Sequence, residues 1–176
     1  VSLTTPLLGQ IGGPLYEPLF VHVPPRGEVQ PLLIESYKMS EDGLAWTLTL
    51  KNGVRFSNGD PAGAEDVKLS LDRYRSEASK TSQASVFRNS IAGVEVVDQR
   101  TVRVTTKSPW ITFPVYLAGK TGNEGILLPK KYIDEVGWAG YAKKPVASGP
   151  YKLVEHRLGD SVTYEAVENH WRAVPL

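Results

Sequence analysis

The sequence contains no cysteine. That excludes disulfides, thiolate metal sites and a cysteine nucleophile, and it leaves the redox compartment open. Surplus charge is also missing: 20 Lys and Arg against 19 Asp and Glu give a net charge of +1. No basic excess is available to neutralise nucleic-acid phosphates or an anionic membrane. No window approaches the ~20 apolar residues that span a bilayer. The chain does not begin with Met, and no basic segment precedes an apolar one. Any targeting peptide is therefore expected to be absent or already removed. Histidines are few. His22, His156 and His170 lie far apart with no H-x-x-x-H pair. "SEDG" and "SNGD" lack the regular acidic ligands of a calcium loop, so neither metal nor cofactor is expected.

What is present is ordinary for a globular protein: 41% hydrophobic and 22% charged residues over 176 positions. That length suggests one domain or a sizeable piece of a larger one.

Periodicity and punctuation divide the chain. "PLYEPLF" reads as a helix end, with Leu15, Leu19 and Phe20 at compatible spacing and Pro18 awkward inside it. The prolines of "VPPRGEVQP" mark a turn. "LIESYKMS" reads as a strand, "EDG" as a turn, and "AWTLTLK" alternates cleanly as a second strand. Asn-Gly pairs at Asn52 and Asn58 imply tight reversals. "AEDVKLSLDRYRSEA" is amphipathic, with Ala64, Val67, Leu71, Tyr74 and Ala78 on one stripe. Glu65 and Asp66 then complement the positive end of the helix dipole. "SQASVFRN" and "TFPVYLAG" read as short helices. "GVEVVD" and "TVRVTTK" read as a hairpin, and "GILLP" as a buried strand or strand end. "KKYIDEVG" predicts a short helix with Gly137 past its end. "GPYKLVEHRLGDSVTYEAV" reads as a hairpin turning around Gly159. Hairpins with helices between them indicate an α+β unit, or part of an α/β protein.

Catalytic motifs are not found. "AGKTG" would need glycine five residues before Gly119 to form a phosphate loop, and Pro114 stands there. "ASGPY" presents Ser148 outside a G-x-S-x-G context. Four Trp and eight Tyr could line a sugar or peptide groove, although core aromatics explain them as well. The protein is not expected to be an enzyme.

In order, "LYEPLF", "SEDGLAWTLTLKNGVRFSNGDPAGAEDV", "VEVVDQRTVRVTT" and "SGPYKL" followed by "NHW" resemble the extracytoplasmic solute-binding proteins of ABC transporters. Within these the chain is similar to the peptide- and nickel-binding class, family 5. Two positions depart from the pattern. Gly63 stands where the family usually has Thr or Ser, at the expected N-cap, so Gly63→Ser or Gly63→Thr is expected to stabilise by a few tenths of a kcal/mol. Ala147 stands where a glycine is common, which suggests that no positive φ is needed there.

The resemblance implies a periplasmic-binding-protein-like class II fold: α/β overall, α+β within this chain. It implies that residues 1–30 are a lobe-one segment, 31–145 a small subdomain of mixed sheet and helices, and 146–176 return strands of lobe one, with the second lobe absent. It also implies a receptor outside the cytoplasmic membrane that closes by hinge motion over a peptide or small solute and docks on a permease. Thr4, Thr5, Asn123 and Glu124 are the candidate ligand-binding residues, and this chain would be a monomeric wall of the cleft. The rival reading is a stand-alone carbohydrate-binding or interaction module using exposed aromatics.

Overall fold

The computed structural model describes residues 12–119, 124–157 and 160–173. At its centre is a four-stranded sheet in the order β3-β4-β6-β5. It is built from β3 (Ile34–Met39), β4 (Ala45–Leu50), β5 (Ile91–Val96) and β6 (Thr101–Thr106). Every pairing in it is antiparallel. Two separate hairpins flank it: β1 (Phe20–Val23) with β2 (Glu28–Pro31), and β7 (Tyr151–Arg157) with β8 (Ser161–Ala166).

The alternation in "AWTLTLK" decides the sheet's two faces. Trp46 lies opposite Val104, and Leu48 opposite Val102, so four apolar side chains share one face. All four are buried. Burying an aliphatic or aromatic side chain is worth roughly 1.5–3 kcal/mol. This face receives helix α1 (Ala64–Arg75) and helix α2 (Ala84–Ser90), which pack on one another and on β5. The other face carries Thr47, Thr49 and Arg103, and Thr49 Oγ1 meets Thr101 Oγ1 at 3.2 Å.

The stripe of α1 is as expected at Ala64, Val67, Leu71 and Tyr74, each buried. Ala78 is not part of it, because the helix ends at Arg75 with Ser76 as its C-cap, and Ala78 is exposed. The Asn58-Gly59 reversal is a closed turn: Arg55 bridges Pro61, and Asn58 Oδ1 accepts the Asp60 N–H at 3.1 Å.

The start of α1 shows why glycine suits position 63. Gly63 is the N-cap, extended at φ −146°. It has no side-chain oxygen to offer, so the cap runs in reverse: the Asp66 carboxylate accepts the Gly63 N–H at 2.8 Å. A Cβ on residue 63 would stand 3.0 Å from the Gln99 carbonyl oxygen. That oxygen already accepts the Ala64 N–H at 2.9 Å. The close approach offsets the capping gain expected above. Gly63→Ser should therefore leave stability unchanged or lower. A urea titration showing a gain of more than about 0.5 kcal/mol would mean that the Gln99 turn yields.

Two further expectations change. "PLYEPLF" is not helical from Pro18 on, although Leu15 and Tyr16 N–H both donate to the Gly12 carbonyl in a turn. Pro18 bridges Ile126 in extended conformation, and β1 begins at Phe20. Leu15, Leu19 and Phe20 are all buried in the main core. The helical spacing does not carry through to Leu19 and Phe20, since Pro18 opposes a helix because it has no N–H to donate. Helix α3 (Phe113–Tyr116) matches "TFPVYLAG". Helix α4 runs Lys130–Lys143 and is broken at Gly137, φ +69°. The expected stop is thus present, and a further helical stretch follows it. It holds Tyr141, buried against Tyr16 with the hydroxyls 3.0 Å apart. The turn at Gly159 lies outside the described residues.

Candidate functional site

Thr4, Thr5 and Asn123 lie outside the described residues. Glu124 is 1% exposed. Its Oε1 accepts the N–H of Gln83, the N-cap residue of α2, at 2.9 Å. Around it the chain is tied from three directions. Leu19 N–H donates to Gly125 O at 2.7 Å, and Tyr74 Oη–H donates to Ile126 O at 2.6 Å. Burial, then the negative charge of Glu124, pushes the Tyr74 phenol well above its usual range. That phenol stays protonated and acts as a donor.

A second constellation was not foreseen. Glu17, 4% exposed, sits where the segment before β1 meets the segment after β8. Trp171 Nε1–H donates to its Oε2 at 2.8 Å, and Arg172 Nε–H donates to its Oε1 at 2.8 Å. A second guanidinium nitrogen, Nη2, reaches the same Oε1. His170 Nε2 lies 3.6 Å from Glu17 Oε2 and 3.0 Å from the Ser148 carbonyl oxygen. His170 Nδ1 lies 3.1 Å from the Arg172 carbonyl oxygen.

A serine, a histidine and a carboxylate are thus gathered from distant positions, Ser148, His170 and Glu17, which invites comparison with a hydrolase triad. The geometry rejects the comparison. His170 faces the backbone oxygen of Ser148, whereas the Ser148 hydroxyl donates to the Glu17 carbonyl at 3.4 Å. Ser148 is fully buried. No nucleophile is activated, because the base does not reach the hydroxyl proton. The arrangement instead saturates a buried carboxylate with donors from one segment. "LYEPLF" and "NHW" were both legible as motif pieces. Their contact was not, since nothing in sequence spacing pairs residues so far apart.

An open groove of about 690 Å³ runs between the Phe56–Pro61 turn and the start of α4. Its lysines are already matched, Lys131 to Asp60 at 2.8 Å and Lys130 to Asp134. The hydrogen bond from Lys131 holds the Asp60 carboxyl below its usual range. Among the described residues no group of three or more His, Asp or Glu could hold a metal ion. Tyr37 is the exposed aromatic among them, and it lies against Trp46 and Phe20. A glycan platform needs several such rings. Among the described residues no helix is long and apolar enough to cross a membrane.

Solved structures with the same arrangement are binding proteins. The chain superposes on the binding protein MoaA in complex with mannopinic acid from A. tumefaciens R10, with a TM-score of 0.83 and 27% identity, over 97% of this chain and 35% of that one. It is similar to the oligopeptide-binding protein AppA from Bacillus subtilis in complex with a nonapeptide, with a TM-score of 0.80 and 25% identity, over 97% of this chain and 34% of that one. The fold is part of that of the periplasmic binding proteins. Residues 28–176 match the middle region of the bacterial extracellular solute-binding proteins, family 5, and the chain belongs to that family. The glutathione-binding protein GsiB of Salmonella choleraesuis is 33% identical over 148 residues, which are 82% of this chain and 27% of the relative. The chain thus spans about a quarter of the length of the curated relatives it matches.

Proposed function

We propose that the chain is part of a solute receptor of an ABC importer, working outside the cytoplasmic membrane. Such a receptor closes two lobes over a peptide or similar small solute and hands it to a membrane permease. The observation that carries this reading is the family match from residue 28 to residue 176, which leaves no room for an unrelated module in that span. Relatives that hold glutathione, a nonapeptide or an opine acid support a solute of peptide or modified amino-acid type. The triad-like trio with its misdirected hydroxyl supports binding over catalysis.

In the same reading residues 1–30 and 146–176 belong to lobe one and 31–145 to a small subdomain. Thr4, Thr5, Asn123 and Glu124 belong to the cleft wall. Glu124 acts there through the backbone it fixes, since its carboxylate is committed to Gln83.

The test is titration calorimetry with reduced glutathione, a di- to nonapeptide library and an opine. These 176 residues alone are expected to give no saturable heat, because one wall buries too little of a ligand. The complete gene product is expected to bind one of these solutes at micromolar concentration or tighter. A complete product that binds none of them, or a 176-residue chain that binds one tightly, would overturn the reading.

A further inference from the structure

Residues 148–173 form a unit with few ties to the rest. β7 and β8 pair with one another and with no other strand among the described residues. Two backbone hydrogen bonds among those residues join the unit to the body: Gly149 N–H to Leu15 O at 2.8 Å, and Tyr151 N–H to Pro14 O at 3.3 Å. Both lie at the base of the ribbon. An isolated two-stranded ribbon is marginal in water. The unit is therefore held by the packing of Leu153, Tyr164 and Trp171 on the core and, at its base, by the Glu17 cluster.

We propose that Glu17 is a clasp. Its buried carboxylate fastens the return segment 170–172, and with it the β7–β8 ribbon, to the body of the fold. Loss of the Glu17–Arg172 contact frees that unit while the sheet and helices stay folded.

Three observations carry this. First, the side-chain donors to the carboxylate, Trp171 Nε1–H and Arg172, come from the return segment. One group therefore anchors that segment twice. Second, the pair is asymmetric in burial: the side chain of Glu17 is 5% exposed and that of Arg172 is 36% exposed. If the contact is lost, the guanidinium has a short route to water. Moving the segment outward hydrates it without opening the core. Third, the ring of Trp171 has two cations near it, Lys51 and Arg172, each 5.9 Å from its centroid. The segment is thus held to the body by the Glu17 contacts and the Lys51–Trp171 cation–π contact, beside the packing of Trp171 on the core. Burial also protects the pair from salt, so ordinary changes in ionic strength should not open it.

Hydrogen–deuterium exchange read by mass spectrometry tests the clasp, using the 176-residue chain with Glu17→Gln, Arg172→Met and Arg172→Lys. In Glu17→Gln and Arg172→Met, amides of 151–157 and 161–173 are expected to exchange about ten-fold faster or more. Amides of β4 and β6 should keep wild-type protection. Arg172→Lys should fall between, because it keeps the charge and loses the second donor. Unchanged exchange at 161–173 would overturn the proposal. So would an equal loss of protection in β4 and β6, which would make Glu17 an ordinary part of the core. If Glu17→Gln does not fold, Arg172→Met decides alone, since it changes the more exposed partner. Global unfolding of Arg172→Met would also overturn the clasp.

Discussion

Gly125→Ala is expected to leave no folded protein at room temperature. Gly125 has φ +93°, and a Cβ there would lie 2.0 Å from the Leu117 carbonyl oxygen and 2.6 Å from its carbon. Neither side can retreat. The Leu117 oxygen accepts the Phe20 N–H at 3.2 Å, and the Gly125 oxygen accepts the Leu19 N–H at 2.7 Å. The new methyl would have to part the segments that enclose Leu19 and Phe20. Costs above ~4 kcal/mol arise when backbone strain and overpacking combine, and native stability is only about 5–15 kcal/mol. Gly53→Ala is the control. Gly53 also has positive φ, +80°, but nothing stands within 4 Å of its Cβ position. It should cost roughly 1–2 kcal/mol from the left-handed backbone alone. Circular dichroism and thermal melts of the pair separate the two effects. A Gly125→Ala variant that melts alongside Gly53→Ala would show that the approach to Leu117 is slack.

The next largest effect is expected at Asp66. This residue is 8% exposed, and its carboxylate accepts the Gly63 N–H at 2.8 Å and the Lys130 N–H at 2.7 Å. One side chain therefore satisfies the first turns of both α1 and α4. Asp66→Ala leaves two N–H groups without it, at about 1–3 kcal/mol for each one that stays buried. Asp66→Asn keeps one acceptor and turns an amide N–H toward the other donor, so it should lose about half as much.

The pH dependence has a definite sign. Burial raises the Asp66 carboxyl above its usual range, against the lowering effect of the hydrogen bonds from Lys130 and Gly63. A raised acid binds its proton more tightly in the folded state. Stability from this group is therefore fully present below the ordinary Asp value, and it is lost as pH rises through the elevated folded value. In urea titrations the advantage of wild type over Asp66→Asn should shrink as pH rises across that window. An advantage that grows with pH would mean that the hydrogen bonds outweigh burial.

These two residues also show how far the sequence could be read. Asp66 was legible as an acid in the first turn of a helix, because amphipathic spacing and the preceding turn mark that position. Its second partner, Lys130, is 64 residues away. A local reading could assign the dipole role and not the staple. The same holds for Gly63, where capping preference is a local property but the Gln99 oxygen is not. Glu124 was singled out as a candidate ligand-binding residue, and only packing shows its carboxylate turned inward toward α2. Pro18 was recognised as a poor helix residue, and that warning was the better guide to "PLYEPLF" than the spacing of its apolar side chains.

By itself the sequence determined the strands of the central sheet, the amphipathic helix, the absence of thiol chemistry and the family. Each of these is written in short-range order: alternation of two, a stripe of 3.6, a turn residue at a fixed offset, a motif in series. Only the tertiary structure decided what Glu17, Ser148, His170 and Arg172 do, because their meaning lies in distances between segments far apart in the chain. A carboxylate, an imidazole and a hydroxyl have the same composition in a catalytic relay and in a clasp. The direction of one hydroxyl separates the two.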